Sequence, residues 1–386
     1  SRIKFIWATP ANQSAQGRCY SLINPSSGQP LYNPDPSCFE GVLVQDTIDI
    51  AQTKFNHVTI ENAYGMPRYV SDIQEIRWGS FILDGASPLV TEINFNNINS
   101  SSALILDLAS PTFNGGTFQV GSEEAIEGLA GNAVQVWGAG TPNDPVLFQS
   151  PIFTGTDKGC SSQDNGRHVI WVQSSFTDID HGVVASGDYG FRYTDSAGNL
   201  SYNTISTDCN GIDINGRRSM LSTDYQLEVF GNAITTADNS PVTAYDAAYA
   251  LISSNTMSGA EQASGIQVVS DPYTGPTEVR ITNNDIGPIT GYNGIWGVGS
   301  FDMMVDNNTI HEINREPIIV GEYHYTDSGW QVSSPHPARA TIVDNVITNV
   351  TGTCDSDKVW GESFACPAFH VYRSSATIKR NNVSEI

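Results

Sequence analysis

The sequence predicts an all-β chain wound as a solenoid of about 11–12 stacked coils. Three observations predict it. An asparagine recurs along the chain with an apolar residue two places later. The gaps between these asparagines suit a coil of little more than 20 residues that carries loops of varying length. Only 15% of the chain is charged while Gly alone supplies 35 residues, a mixture that suits strands and turns better than long helices.

The stretches "VRITNNDIGPITGYNGIWGVGS", "MVDNNTIHEINREPIIVGE" and "EVFGNAITTADNSPVTAY" show the unit. Aligned on the asparagine, the register runs Asn96, Gly116, Ser150, Ser174, Asn203, Asn232, Asn255, Asn284, Asn308, Asn345 and Asn381. Two places on stand Ile98, Phe118, Ile152, Phe176, Ile205, Ile234, Met257, Ile286, Ile310, Ile347 and Val383, all apolar. An asparagine at a fixed corner can adopt a left-handed backbone. Its amide can also bond to the amide of the next coil, forming a ladder. The inward apolar residue then fixes the register.

This pattern resembles the right-handed parallel β-helix of the pectate-lyase-like superfamily, over roughly residues 56 to 386. That resemblance implies stacked parallel strands and an outward face that binds polysaccharide. The superfamily holds lyases, hydrolases, epimerases, tailspikes and adhesins, so it implies a fold before an activity. Residues 1–41 break the repeat and are expected to form an N-terminal cap, leaving 42–386 as the β-helix. The chain reaches Ile386 in mid-coil, which predicts continuation or cover by a partner copy.

Six cysteines fall as Cys19/Cys38, Cys160/Cys209 and Cys354/Cys366. None has C-x-x-C spacing, so three disulfides and an oxidising compartment are expected, with neighbours paired. Eighteen basic residues against 41 acidic give a net charge of −23, which disfavours nucleic acid and anionic membranes as partners. No apolar run is long enough to span a bilayer as a helix. An extracellular or cell-surface location follows.

On the strand after each corner glycine, residues alternate in and out. Inward are Ile212 and Ile214, Ile266 and Val268, Ile295 and Val298 (with a slip at Gly297), Ile318 and Val320, and Phe369 and Val371. The outward line is read as Ile105, Gln135, Val184, Asp213, Gln267, Trp296, Ile319 and His370. An exposed indole offers a flat face to a sugar ring, which makes Trp296 a binding candidate beside Gln267 and His370. Tyr323, Tyr325 and Trp330 in "GEYHYTDSGW" are a second aromatic group.

Asp213, with Asp208 in its corner and Asp178 and Asp180 one coil earlier, is the carboxylate cluster that could supply the acid and base of glycoside hydrolysis. The repeat also accounts for "DIDH", residues 178–181, as corner residues that form turns without catalysis. Lyases of the superfamily use Lys or Arg, and the outward line as read contains neither, so hydrolysis is placed ahead of lysis. Its polygalacturonase motifs are missing, and Arg2-Ile3-Lys4 falls outside the repeat. No metal site or cofactor is expected, although Asp355-x-Asp357 has a spacing open to Ca²⁺. The partner expected is an extended polysaccharide, with cleavage left open. The alternative is a non-catalytic surface-layer, filament or adhesin module whose partners are neighbouring copies of itself.

Overall fold

The structure is a computed structural model. It describes residues 3–6, 41–45, 54–63, 65–70, 75–96, 98, 102–119, 132–155, 160, 168–216, 227–247, 249–270, 277–299, 301–321, 324–326, 329–331, 338–355, 363–372 and 374–385. These residues form strands and connecting turns, and among them there is no helix.

One coil shows how the rest are made. Strand Tyr189–Thr194 ends at Asp195, the chain turns, and Gly198–Ser201 follows; a second turn at Tyr202 leads to Thr204–Thr207. A third turn opens the next coil at Ile212–Asn215. The first strand of each coil stacks in parallel on its counterparts in a first sheet, which runs from Val42–Gln45 to Phe369–Tyr372. The other two strands of each coil stack in a second sheet. The result is a right-handed parallel β-helix, the hand that parallel crossovers take.

The asparagine column is real over the second half. The Asn203 backbone N–H donates to Asn232 Oδ1 at 2.8 Å, and its side-chain Nδ2 donates to the same oxygen at 2.9 Å. The pattern repeats through Asn255, Asn284, Asn308 and Asn345 to Asn381. Each Nδ2 also reaches back to a carbonyl of the preceding coil, as Asn232 does to Leu200 O at 2.8 Å. Every corner amide is therefore satisfied with no water, as burial requires.

Two details of the expected repeat are corrected. The left-handed residue is the one before the asparagine: Tyr202, Ser254, Asn283, Asn307, Asp344 and Arg380 all have φ between 53° and 58°. The asparagine itself is buried and serves as the rung. In the first half the register also differs. Gly182 N–H donates to Asn203 Oδ1, and strand pairing carries the column back through Pro151 and Gly116 to Ile93. Ser150 and Ser174 are left-handed corner residues, Ile152 is exposed, and Asn96 is exposed at a strand end. The interior partners there are Phe95, Phe118, Phe153 and Val184.

The core follows this division. Phe113 and Phe148 stack at 4.7 Å, and Phe95, Phe118, Phe153 and Phe191 continue the aromatic column. Beyond it the column is aliphatic, from Ile205 and Ile234 through Met257 to Ile347. Gly297, and not Val298, takes the inward place opposite Val268 and Val320, because the Phe301 ring fills the space a side chain would need. At Gly190 a side chain would run into the Gly211 carbonyl of the next coil, so this corner requires glycine.

Cys160 and Cys209 form a disulfide, as expected, and Cys366 is also disulfide-bonded. Cys19 and Cys38 lie outside the described residues, as does the proposed cap except for Ile3–Ile6 and Gly41. Ile3–Ile6 pairs in parallel with Val58–Glu61, so Ile3 and Lys4 join the stack.

Replacing Asn255 with Ala would strand the Asn232 N–H and the Val229 carbonyl in the interior. The expected loss is about 3 kcal/mol, read as a lower urea midpoint, whereas Asn96→Ala at its exposed position should leave the midpoint unchanged.

Candidate functional site

Strand register fixes the outward line of the first sheet as Ile82, Ile105, Gln135, Trp171, Arg192, Asp213, Thr243, Gln267, Trp296, Ile319 and His370. Val184 does not belong to it; this side chain is buried inside the second sheet. Trp171, Arg192 and Thr243 were missed. The signal for Arg192 was present: Gly190-Phe191-Arg192 repeats the glycine, inward, outward order of Gly211-Ile212-Asp213 and Gly294-Ile295-Trp296. Gly182-Val183-Val184 offered the same order one strand too early.

The line is closed at one end and open at the other. Ile105 and Gln135 are fully buried. Strand Met66–Val70 folds back antiparallel on Glu75–Asp84, and Met66 packs with Trp171 against Ile82, Ile105 and Trp137. Arg77, itself buried, lies over Trp137 at 5.9 Å and Trp171 at 5.5 Å. From Trp171 onward each outward residue is half-buried, and His370 is exposed.

At the start of the open part lies a cleft of about 290 Å³, lined by His168, Tyr189, Arg192, Asn210, Asp213, Asn239 and Tyr245 among others. Asp213 is the acidic group of this lining. Its Oδ2 lies 2.8 Å from His168 Nε2, and its Oδ1 accepts from Asn210 Nδ2 at 2.7 Å. His168 is buried, tilted against the Tyr189 ring at 4.9 Å, and its Nδ1 has no hydrogen-bond partner. Burial holds the His168 pKa below 6.5; the bond to Asp213 opposes this and nearby Arg192 adds to it. The neutral imidazole therefore donates Nε2–H to the carboxylate and keeps a lone pair on Nδ1.

The expected carboxylate cluster is not assembled. Asp178 and Asp180 stand on strand Thr177–Asp180 of the second sheet, so "TDID" is strand and only His181 is a corner. Asp178 accepts from the Asn199 N–H at 2.8 Å, and Asp180 from Ser201 Oγ at 3.0 Å. Burial raises the Asp178 pKa. Asp208 occupies the turn before Asp213, and its N–H donates to the Gly187 carbonyl. Asp213 is the one carboxylate among the cleft-lining residues described.

Of the binding candidates, Gln267 and Trp296 are in the open line, and His370 ends it with Nδ1 3.5 Å from Glu316 Oε1. Tyr325 and Trp330 stand opposite each other in a separate two-stranded hairpin. Tyr323 lies outside the described residues, as does Asp357 of the D-x-D; Asp355 ends the strand Thr353–Asp355.

Fold and cleft define a parallel β-helix protein with a half-open outward row, a buried imidazole–carboxylate pair and an oxidised interior. Residues 113–352, well over half the chain, match the family of periplasmic copper-binding NosD proteins, and the chain belongs to that family. The family description and the disulfide agree on an extracytoplasmic location. No curated protein matches the chain. Among solved structures, a mutant of the periplasmic alginate epimerase AlgG is similar over 87% of this chain and 84% of that one, at 10% identity and a TM-score of 0.33. That likeness bears on neither site nor substrate.

The His168 pKa has a stability consequence. Its folded value lies below the unfolded 6.5, so between the two the unfolded chain binds more protons. This contribution is present above pH 6.5 and lost as pH falls through that window. Wild type should lose stability relative to His168→Gln on going from neutral to mildly acidic pH, measured by urea midpoints. By NMR the His168 ring should titrate below 6.5, and lower still in Asp213→Asn.

Proposed function

We propose that this protein is a polysaccharide-recognising β-helix of the extracellular or cell-surface space, which lays an extended glycan along the open row from Trp171 to His370. The observation that carries the reading is the row itself. Trp171 and Trp296 stand five coils apart on one line, about 24 Å at the usual inter-strand spacing. Between them are Arg192, Asp213, Thr243 and Gln267, the mix of flat apolar faces and hydrogen-bonding groups that sugar polymers present in complement. Tyr189, Asn210, Asn239 and Tyr245 widen the row into the cleft, which forms the main subsite.

The proposal is one of recognition. Hydrolysis by two facing carboxylates requires a second acid across the cleft, and the described lining supplies Asp213 alone. Asp213, held in place by His168 and Asn210, can accept a hydrogen bond from a hydroxyl group of the glycan.

The family is described as copper-binding. Copper favours imidazole and sulfur ligands. Among the described residues no three His, Cys, Asp or Glu side chains converge on a point that could hold a metal. Cys160, Cys209 and Cys366 are in disulfides, and Met257 and Met303 are buried in the hydrophobic core. The described residues do not fit copper.

Trp296→Ala should weaken binding of a recognised polysaccharide about tenfold, or about 1.4 kcal/mol, by isothermal calorimetry on hits from a glycan array. Asp178→Asn and Asp180→Asn, on the other sheet, should leave affinity unchanged. Equal losses at both places would refute the assigned face. One equivalent of copper should leave the melting temperature and glycan affinity where they were; a rise of several degrees would show a copper site.

A further inference from the structure

The cleft holds an arginine whose fork is set and unused. Arg192 stands on the outward row between Trp171 and Asp213. Its guanidinium lies over the Trp171 ring at 5.4 Å, and Nε donates to Thr194 Oγ1 at 3.4 Å. Thr194 also accepts from Trp171 Nε1 at 3.3 Å, which ties ring and hydroxyl into one unit. The buried Arg77 also lies over the Trp171 ring, at 5.5 Å. Among the described residues the terminal nitrogens of Arg192 have no hydrogen-bond partner.

A neighbouring carboxylate does not account for this arrangement. Asp213, on the next rung, has one oxygen directed to His168 and the other to Asn210. The chain has only 18 basic residues against 41 acidic ones, so a cation held in a cleft is a departure from the general surface. A planar, stacked guanidinium with a free fork matches a carboxylate or sulfate in two parallel bonds, with little side-chain freedom left to lose.

Resting on the polysaccharide reading above, we propose that Arg192 makes the cleft specific for an acidic glycan, by pairing its terminal nitrogens with a carboxylate or sulfate ester on the polymer. Asn239 and Tyr245 line the same cleft and give it further polar groups. The overall charge of −23 does not prevent this, since screening confines each charge to about 8 Å at physiological salt.

The test measures binding of three polymers, polygalacturonate, a sulfated galactan and a neutral β-glucan, to the intact protein and to Arg192→Gln and Arg192→Lys. At least one acidic polymer should bind ten-fold or more tighter than the glucan. Arg192→Gln should abolish that preference, Arg192→Lys should restore part of it, and glucan affinity should hardly move. The carboxylated and sulfated arms show which anion is read. Unchanged melting temperatures and circular dichroism would establish that the variants fold. If the glucan binds as well as the acidic polymers, with loss in Trp296→Ala, the anion assignment is wrong and polysaccharide recognition stands. If none of the three binds, both readings fall.

Discussion

The constraint on which this structure rests is that a buried amide must find a partner in the neighbouring coil. From Asn232 to Asn381 each side-chain oxygen takes two N–H groups from the coil before, and each side-chain nitrogen from Asn203 onward bridges two coils. No rung is complete by itself. A coil out of register would leave several polar atoms in the interior, so the ladder converts local sequence into a fixed stack. The loops that leave the helix can vary in length because they do not alter this condition, and the rungs are bridged across separations of 23 to 37 residues.

Where the ladder stops, another interaction maintains the stack. From Ile93 to Gly182 the rung position holds no asparagine, and the interior is an aromatic column from Phe95 to Phe191. Large rings fill the cross-section and set the register by shape. The same end carries the fold-back strand Met66–Val70, which gives the first sheet a second, smaller apolar cluster on its outer side. That cover determines where the outward row begins to open, and so places the cleft near the middle of the chain.

The cleft is a product of stacking. His168, Arg192 and Asp213 belong to three successive coils, and His168 and Asp213 are separated by 45 residues. Their partners are set at right angles to the sequence. The disulfide joins the approach to His168, at Cys160, to the turn that carries Asn210, at Cys209. Asn210, one of the two groups that hold Asp213, thereby sits next in sequence to a covalent link between coils. A charged guanidinium, a neutral imidazole and a carboxylate can coexist here because each has a partner or a supporting ring.

The sequence by itself determined the winding and half of its register. Asn-x-apolar signals at Asn203 to Asn381 are short-range, and the same two residues make the rung and the inward contact. It determined the alternation that puts Asp213, Gln267, Trp296 and His370 on one outward line, because strand periodicity is local. Tertiary structure decided the rest. Ser150-Pro151-Ile152-Phe153 and Ser174-Ser175-Phe176 offer apolar residues in more than one frame, and only pairing with the neighbouring coils selects Phe153 and Val184. Asp178 and Asp180 look like partners of Asp213 along the chain, yet one turn of the coil puts them on a different sheet. Which row is covered, and that His168 meets Asp213, depend on contacts between distant rungs, which no local pattern encodes.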